Sequence, residues 1–343
     1  MITVYSDKHR LHSGRGELND GQIMPCFENP NRADAILARV KSEELGAVIE
    51  PVDFPIDAIQ RVHSHDYLTF LKNAWDEWEL LHGDIDAFPL IWPVRGLRQV
   101  CPEHIDGKIS YYAMDAGTPI TSGTYQAVKS TAKVALTAQK LIADGEHSAF
   151  ALCRPPGHHA SKDVYGGYCF LNNAAIAAQA FIDQGSKKVV VLDIDYHHGN
   201  GTQDIFYDRD DVMFISIHAD PIMEFPYFLG HADEKGAGKG MGFTHNFPLP
   251  FGTKNKKWFE ALKTAIELII DYAPDAVVIS LGVDTFEGDP ISEFKLKTDD
   301  YTVIGENLAK LKLPTLFIME GGYDVDEIGI NTVNVLSGFE GAE

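Results

Sequence analysis

Lys188-Val189-Val190-Val191-Leu192 runs directly into Asp193-Ile194-Asp195-Tyr196-His197. The first five residues read as a buried strand, so acid and imidazole groups arrive where a strand ends. Side chains alternate along a strand, which puts Asp193, Asp195 and His197 on one face. Carboxylate oxygen and imidazole nitrogen together form a ligand set suited to zinc. Two acids and a histidine after a strand also serve as turn formers. Other strand ends decide between the two readings.

Outward from this stretch, short apolar runs recur at Ala47 to Ile49, Ala149 to Leu152, Val212 to Ile217, Ala276 to Leu281 and Thr315 to Met319. Amphipathic segments lie between them, among them Thr124 to Asp144, Asn173 to Gln184 and Trp258 to Tyr272. Strands alternating with helices are the pattern of an α/β fold. The expectation is a central, largely parallel sheet with helices on both faces. No repeat and no Pro/Ser/Gly-rich linker divides residues 1–343, so a single domain is expected. From Trp75 to Asp106 the pattern lapses, and three of the four tryptophans (Trp75, Trp78 and Trp92) fall there. This segment reads as an extended loop whose apolar surface suits a subunit contact.

The chain carries 50 acids against 29 lysines and arginines, a net charge of −21. That balance argues against nucleic acid and favours cationic ligands. Four cysteines without C-x-x-C spacing give neither a disulfide framework nor a thiolate zinc site. No apolar run approaches the roughly 18 residues of a membrane span, and Met1 to Tyr5 enters a strand without a leader. A cytoplasmic protein without a membrane anchor is therefore expected.

In open parallel sheets, ligands bind beyond the carboxyl ends of the strands. Here Ala149 to Leu152 is followed by Arg154-Pro155-Pro156-Gly157-His158-His159, Ala276 to Leu281 by Gly282-Val283-Asp284, and Thr315 to Met319 by Glu320-Gly321-Gly322-Tyr323. Asp195, His197 and Asp284 would bind one divalent ion and leave a coordination position open, as catalytic zinc requires. His158 and His159 have the chemistry of a proton-transfer pair. Tyr323, beside two glycines, can donate its hydroxyl to a developing oxyanion. Asp193 is placed to orient His158. His198 is expected to point away, and His63, His65, His218 and His231 have no comparable setting. Amide hydrolysis is the reaction these types support.

Arg154-Pro155-Pro156-Gly157-His158-His159-Ala160, Gly166-Gly167-Tyr168-Cys169-Phe170-Leu171-Asn172-Asn173, the run from Asp193 to Thr202, Leu281-Gly282-Val283-Asp284-Thr285 and Glu320-Gly321-Gly322-Tyr323 resemble the histone deacetylase family. The resemblance is strongest to its bacterial acetylpolyamine amidohydrolases. It implies an arginase/deacetylase-like fold, one zinc (iron can occupy such a site) and deacetylation by metal-activated water. It assigns Asp195, His197 and Asp284 to the metal, His158 and His159 to proton transfer, and Tyr323 to polarising the carbonyl. It further implies that Gly167, Tyr168 and Phe225 line a narrow tunnel. Structural potassium is implied near Asp193, Asp195, His197, Ser216 and Ile217, with a second such ion near Phe206, Arg209, Val212 and Phe243.

Two positions depart from that pattern. Asn200 stands where many relatives carry an acid beside the second histidine, so His159 is less biased toward the imidazolium form. Gly117 stands where relatives carry an acid that holds the polyamine chain. The resemblance also implies a homodimer in which the loop before Asp106 helps wall the tunnel and Asp106 meets a distal ammonium. The expected substrates are short acetylated amines such as acetylputrescine or acetylcadaverine. Protein acetyl-lysine deacetylation is the alternative with the same chemistry. A two-metal hydrolase of guanidino groups would need more bridging carboxylates than the chain offers, and a binding protein would not need Tyr323 and both histidines.

Overall fold

The computed structural model describes residues 1–19 and 21–342. Ten strands occur among them: β1 (Ile2–Val4), β2 (Glu17–Asn19), β3 (Gln22–Met24), β4 (Val48–Ile49), β5 (Ser148–Ala151), β6 (Val189–Asp193), β7 (Val212–Ala219), β8 (Thr244–Leu249), β9 (Ala276–Leu281) and β10 (Thr315–Met319). β2 and β3 form a separate antiparallel hairpin. The other eight make one sheet in the order β4-β1-β5-β10-β9-β6-β7-β8, and every neighbouring pair is parallel.

Period-2 alternation divides the core into two layers. Val189 and Val191 pack on one side of the sheet with the helices Thr124–Ala143 and Asn173–Asp183. Val190 and Leu192 pack on the other with Asn31–Ser42, Asn255–Tyr272, Thr298–Ala309 and Ile328–Gly341. Both faces are covered, which is why the central strands carry runs of apolar residues rather than apolar residues at alternate positions only. Ile194 and Tyr196 continue the second layer past the end of β6. The alternation that places Asp193, Asp195 and His197 together therefore survives beyond the strand.

The chain first lays down β1, β4 and β5, then β6, β7 and β8 at a distance. The last two strands, β9 and β10, fill the gap between β5 and β6. This late insertion makes β5, β10, β9 and β6 consecutive neighbours. Since all four are parallel, their carboxyl ends open on one edge, and these are the ends that carry the candidate residues.

One expectation is corrected. The segment from Trp75 onward is not loop throughout, because Trp75 and Trp78 belong to the helix His65–His82. Ser64 caps that helix by accepting from the Tyr67 amide at 3.3 Å, and Gly83 ends it with φ at 77°. Asp106 likewise lies in a helix, Ile105–Tyr112. The loop proper spans residues 83–104. Its stem is anchored where the Leu90 and Ile91 amides donate to Ser110 Oγ at 3.0 and 3.3 Å. The hairpin, β8 and the last two helices carry no strong sequence signal, since each is short, mixed in polarity or set by packing.

Candidate active site

Asp195 and His197 follow β6, Asp284 follows β9, and one ligand atom of each lies within 4.8 Å of the others. All three side chains are buried. His197 Nδ1 stands 3.2 Å from Asp284 Oδ2 and 3.5 Å from Asp195 Oδ1. Backbone donors aim the carboxylates. The Tyr196 amide donates to Asp284 Oδ1 at 2.8 Å, the His197 amide to Asp195 Oδ1 at 2.9 Å, and the Gly321 amide to Asp195 Oδ2 at 2.7 Å. Gly321 is required there, because a Cβ would lie 2.6 Å from Asp195 Oδ2 and 2.5 Å from Asp284 Oδ2.

Two carboxylates brought together out of water repel. Burial and the charge of Asp195 push the Asp284 carboxyl up to about 8. Burial also works against a charged Asp195, yet His158 and His197 hold that carboxyl below its usual range. A divalent cation among these atoms would relieve the repulsion. Two oxygens and one nitrogen, dry and converging, fit such an ion chemically.

The histidine couple sits beside this group, with ring centroids 4.0 Å apart. His158 Nδ1–H donates to Asp193 Oδ2 at 2.9 Å. Burial alone would lower the His158 pKa, but Asp193 and Asp195 outweigh it and raise it to about 10. His159 Nδ1–H donates to Asn200 Oδ1 at 2.7 Å. Burial and the neighbouring His158 and His197 push the His159 pKa well below the ordinary value. The two imidazoles are thus pushed in opposite directions, and the ring nitrogen of His159 not directed at Asn200 is Nε2.

A cleft of about 460 Å³ leads to this group from the surface. His159, His197 and Tyr323 border it, and Gly167, Tyr168 and Phe225 wall it. Gly167 has φ at 54° and lies so close to the His159 ring that a Cβ would clash. The Tyr323 amide donates to Asp289 Oδ2 at 2.7 Å, the Arg32 guanidinium covers its ring at 4.6 Å, and Tyr168 meets it edge-on at 5.6 Å.

Other expected positions are distributed as follows. His198 turns away, its Nε2–H donating to Gln203 Oε1 at 3.1 Å and its ring packing on His218 with centroids 4.5 Å apart. Asp106 does not line the cleft of its own chain; its Oδ1 meets His82 Nε2 at 2.7 Å. Gly117 does line it. Ser216 is the cross-strand partner of Asp193, with Ile217 the next residue. The carbonyl of Phe206 accepts from the Arg209 amide at 3.1 Å and that of Phe243 from the Phe214 amide at 2.9 Å. Val212 begins β7 nearby.

Sequence reasoning missed the acids of the cleft: Glu17, Asp115, Glu224 and Glu293. Glu17 comes from the small hairpin, where Oε1 accepts from the Tyr168 hydroxyl at 2.9 Å. Burial raises its pKa to about 7 although that hydrogen bond opposes the rise. Asp115 accepts from the amides of Gly117 and Gly167 and so fixes the turn before Tyr168. No motif marked either residue, because the hairpin and the turn reach the cleft only through tertiary packing.

Residues 26–339 match the model of the histone deacetylase domain. The chain belongs to the histone deacetylase family. Within that family it is 59% identical to acetylpolyamine amidohydrolase 2 of Pseudomonas aeruginosa over 99% of both chains. It is 47% identical to acetylpolyamine amidohydrolase of Mycoplana ramosa over 99% of this chain and 100% of that one. The crystal structure of acetylpolyamine aminohydrolase from Burkholderia pseudomallei superposes with a TM-score of 0.95 at 38% identity, covering 100% of this chain and 99% of that chain. The HDA15 HD domain superposes with a TM-score of 0.83 at 26% identity, over 99% and 89% of the two chains. The arginase/deacetylase-like fold expected from the motifs is the fold observed.

Proposed function

We propose that this deacetylase hydrolyses the acetamide of small acetylated polyamines, with one zinc ion held by Asp195, His197 and Asp284. The observation that carries the reading is a dry N/O donor set at the floor of a cleft whose walls hold four acids. An acetylated amine has one neutral, apolar end and at least one ammonium, and it matches that gradient. The metal, when bound, supplies Lewis acidity and lowers the pKa of water to about 7.

The protein's own groups carry the rest. Tyr323 O–H donates to the acetamide oxygen as charge builds there. His159, its Nδ1–H directed at Asn200, offers Nε2 to accept a proton at the cleft floor. His158, kept charged by Asp193, holds a proton for the departing amine. Tyr168, Phe225 and Gly167 exclude water from the alkyl chain, and Glu17, Glu224 and Glu293 attract its ammonium.

Potassium beside Asp193 and Ser216 would stiffen the strand ends that carry the ligands. The exposed side chains of Leu90, Ile91, Val94 and Leu97, and of Phe228, which Arg95 covers at 5.3 Å, form an apolar face suited to a second copy of this chain. Asp106, outside its own cleft, would serve the partner's in that arrangement. The test is a substrate panel: turnover of N-acetylputrescine and N-acetylcadaverine should exceed that of an acetyl-lysine peptide. Efficient peptide turnover with none on the amines would reverse the reading in favour of a protein deacetylase.

A further inference from the structure

Glu320 follows β10 and is fully buried. Its Oε2 accepts from two consecutive amides, those of Gly157 at 2.6 Å and His158 at 3.1 Å. Its Oε1 is buried and has no hydrogen-bond partner. One oxygen of Glu320, one nitrogen of His158 and Cys169 Sγ also lie within 4.8 Å of one another. His158 Nδ1 is committed to Asp193 and Glu320 Oε2 to the amides.

A buried carboxylate with one idle oxygen is costly. An apolar side chain of similar length would instead leave two buried amides unpaired. What the carboxylate provides is a fixed point for the backbone on which both histidines stand. The loop leaves β5 and Glu320 leaves β10, neighbouring strands whose register pairs Ile318 with Ala151. Glu320 is itself held from behind, with its carbonyl accepting from Arg32 Nη2 at 2.6 Å and its amide donating to Leu281 at 2.9 Å. Asp193 orients the ring of His158; nothing else among the described side chains holds the amides of Gly157 and His158.

We propose that Glu320 is a positioning residue for deacetylation. It anchors the backbone of the His158–His159 couple to the strand end that delivers Tyr323, so that proton-transfer groups and carbonyl donor keep one spacing. This rests on the reading of His158 and His159 as the proton-transfer pair.

The experiment compares Glu320→Gln, Glu320→Met and Glu320→Asp with the wild-type enzyme on N-acetylputrescine, recording kcat, KM, metal content and Tm. Gln keeps an oxygen acceptor for both amides, Met removes it, and Asp draws it back by one methylene. The expected result is kcat lower by about 100-fold in the Met variant, with KM and metal content unchanged, and within about tenfold of wild type in the Gln variant. The Asp variant should fold and fall between them, which preserves the test if the Met variant does not fold. A Met or Asp variant with wild-type kcat would overturn the proposal, as would a Gln variant as slow as the Met one. Failure of the wild-type enzyme on every acetylated amine would instead defeat the underlying function.

Discussion

His158 and Asp193 are joined by a 2.9 Å hydrogen bond from Nδ1–H to Oδ2, deep beneath the cleft and out of contact with solvent. Gly199 makes room for it, since a Cβ at that position would collide with the same oxygen. The second histidine has a neutral partner, Asn200, at 2.7 Å. One couple therefore holds two imidazoles of opposite proton affinity. Asp193→Asn should lower kcat by about 100-fold or more by releasing the His158 tautomer and charge. Asn200→Asp should raise the His159 pKa, moving the acid limb of the kcat/KM profile to higher pH and slowing the enzyme near pH 7. A profile unchanged in Asn200→Asp would remove His159 from the role of base.

Tyr323 borders the cleft without a hydrogen bond to Asp195, His197 or Asp284. Replacing it with Phe should cut kcat about 100- to 1000-fold, or roughly 3 to 4 kcal/mol. Metal analysis of the same protein should read as in wild type. Loss of metal in that variant would mean that the tyrosine supports the ligands rather than the substrate.

Asp195, His197 and Asp284 should together bind one divalent ion per chain. Asp284→Asn or His197→Ala should lose both the ion and activity. Dialysis against chelator should lower the Tm of wild type, with zinc restoring it by binding linkage. Two equivalents of tightly held metal would point to a binuclear hydrolase.

Glu17 gives the pH dependence a sign. Its pKa lies at about 7 against an ordinary 4.5, so its carboxylate is mostly charged only above neutrality. A substrate ammonium stays cationic to about pH 10. KM for acetylputrescine should therefore fall as pH rises from 6 to 8, and Glu17→Gln should abolish that fall. Stability has the opposite sense. A carboxyl whose folded pKa is raised contributes stability fully below about 4.5 and loses it as pH rises through about 7. Glu17→Gln should then match wild type at pH 4 and exceed it in Tm at pH 8. A KM that stays flat in the wild type would remove Glu17 from substrate binding.

The apolar face of residues 90–100 predicts self-association. Sedimentation of the wild type at micromolar concentration should show a dimer, and Ile91→Glu with Leu97→Glu should shift it to monomer. If the cleft borrows Asp106 from a partner, that variant should also raise KM for acetylated amines while leaving metal content intact. A monomeric wild type of full activity would sink the idea.

Much of this was legible along the chain because alternation is local. Val189 to His197 carries its own record of which side chains share a face, and the glycines and histidines after β5, β9 and β10 mark strand ends by the same rule. The lapse of alternation and the tryptophans after Trp75 suggest a loop, whereas Trp75 and Trp78 lie in the helix His65–His82, held by its caps and one packed stripe. Glu17 had no local signature: a three-residue strand says nothing about the wall it will reach.

By itself, then, the sequence determined the α/β class and the strand ends that bear chemistry, and it marked Asp195, His197, Asp284, the histidine couple and Tyr323 as candidates. Those follow from residue type and short-range period, which any nine or ten residues display. Only the tertiary structure decided that β9 and β10 enter between β5 and β6, that four acids face the cleft, and that a Glu320 oxygen holds the loop of His158. These depend on which distant segments must pack together to bury both faces of one sheet, a condition set by the whole chain at once.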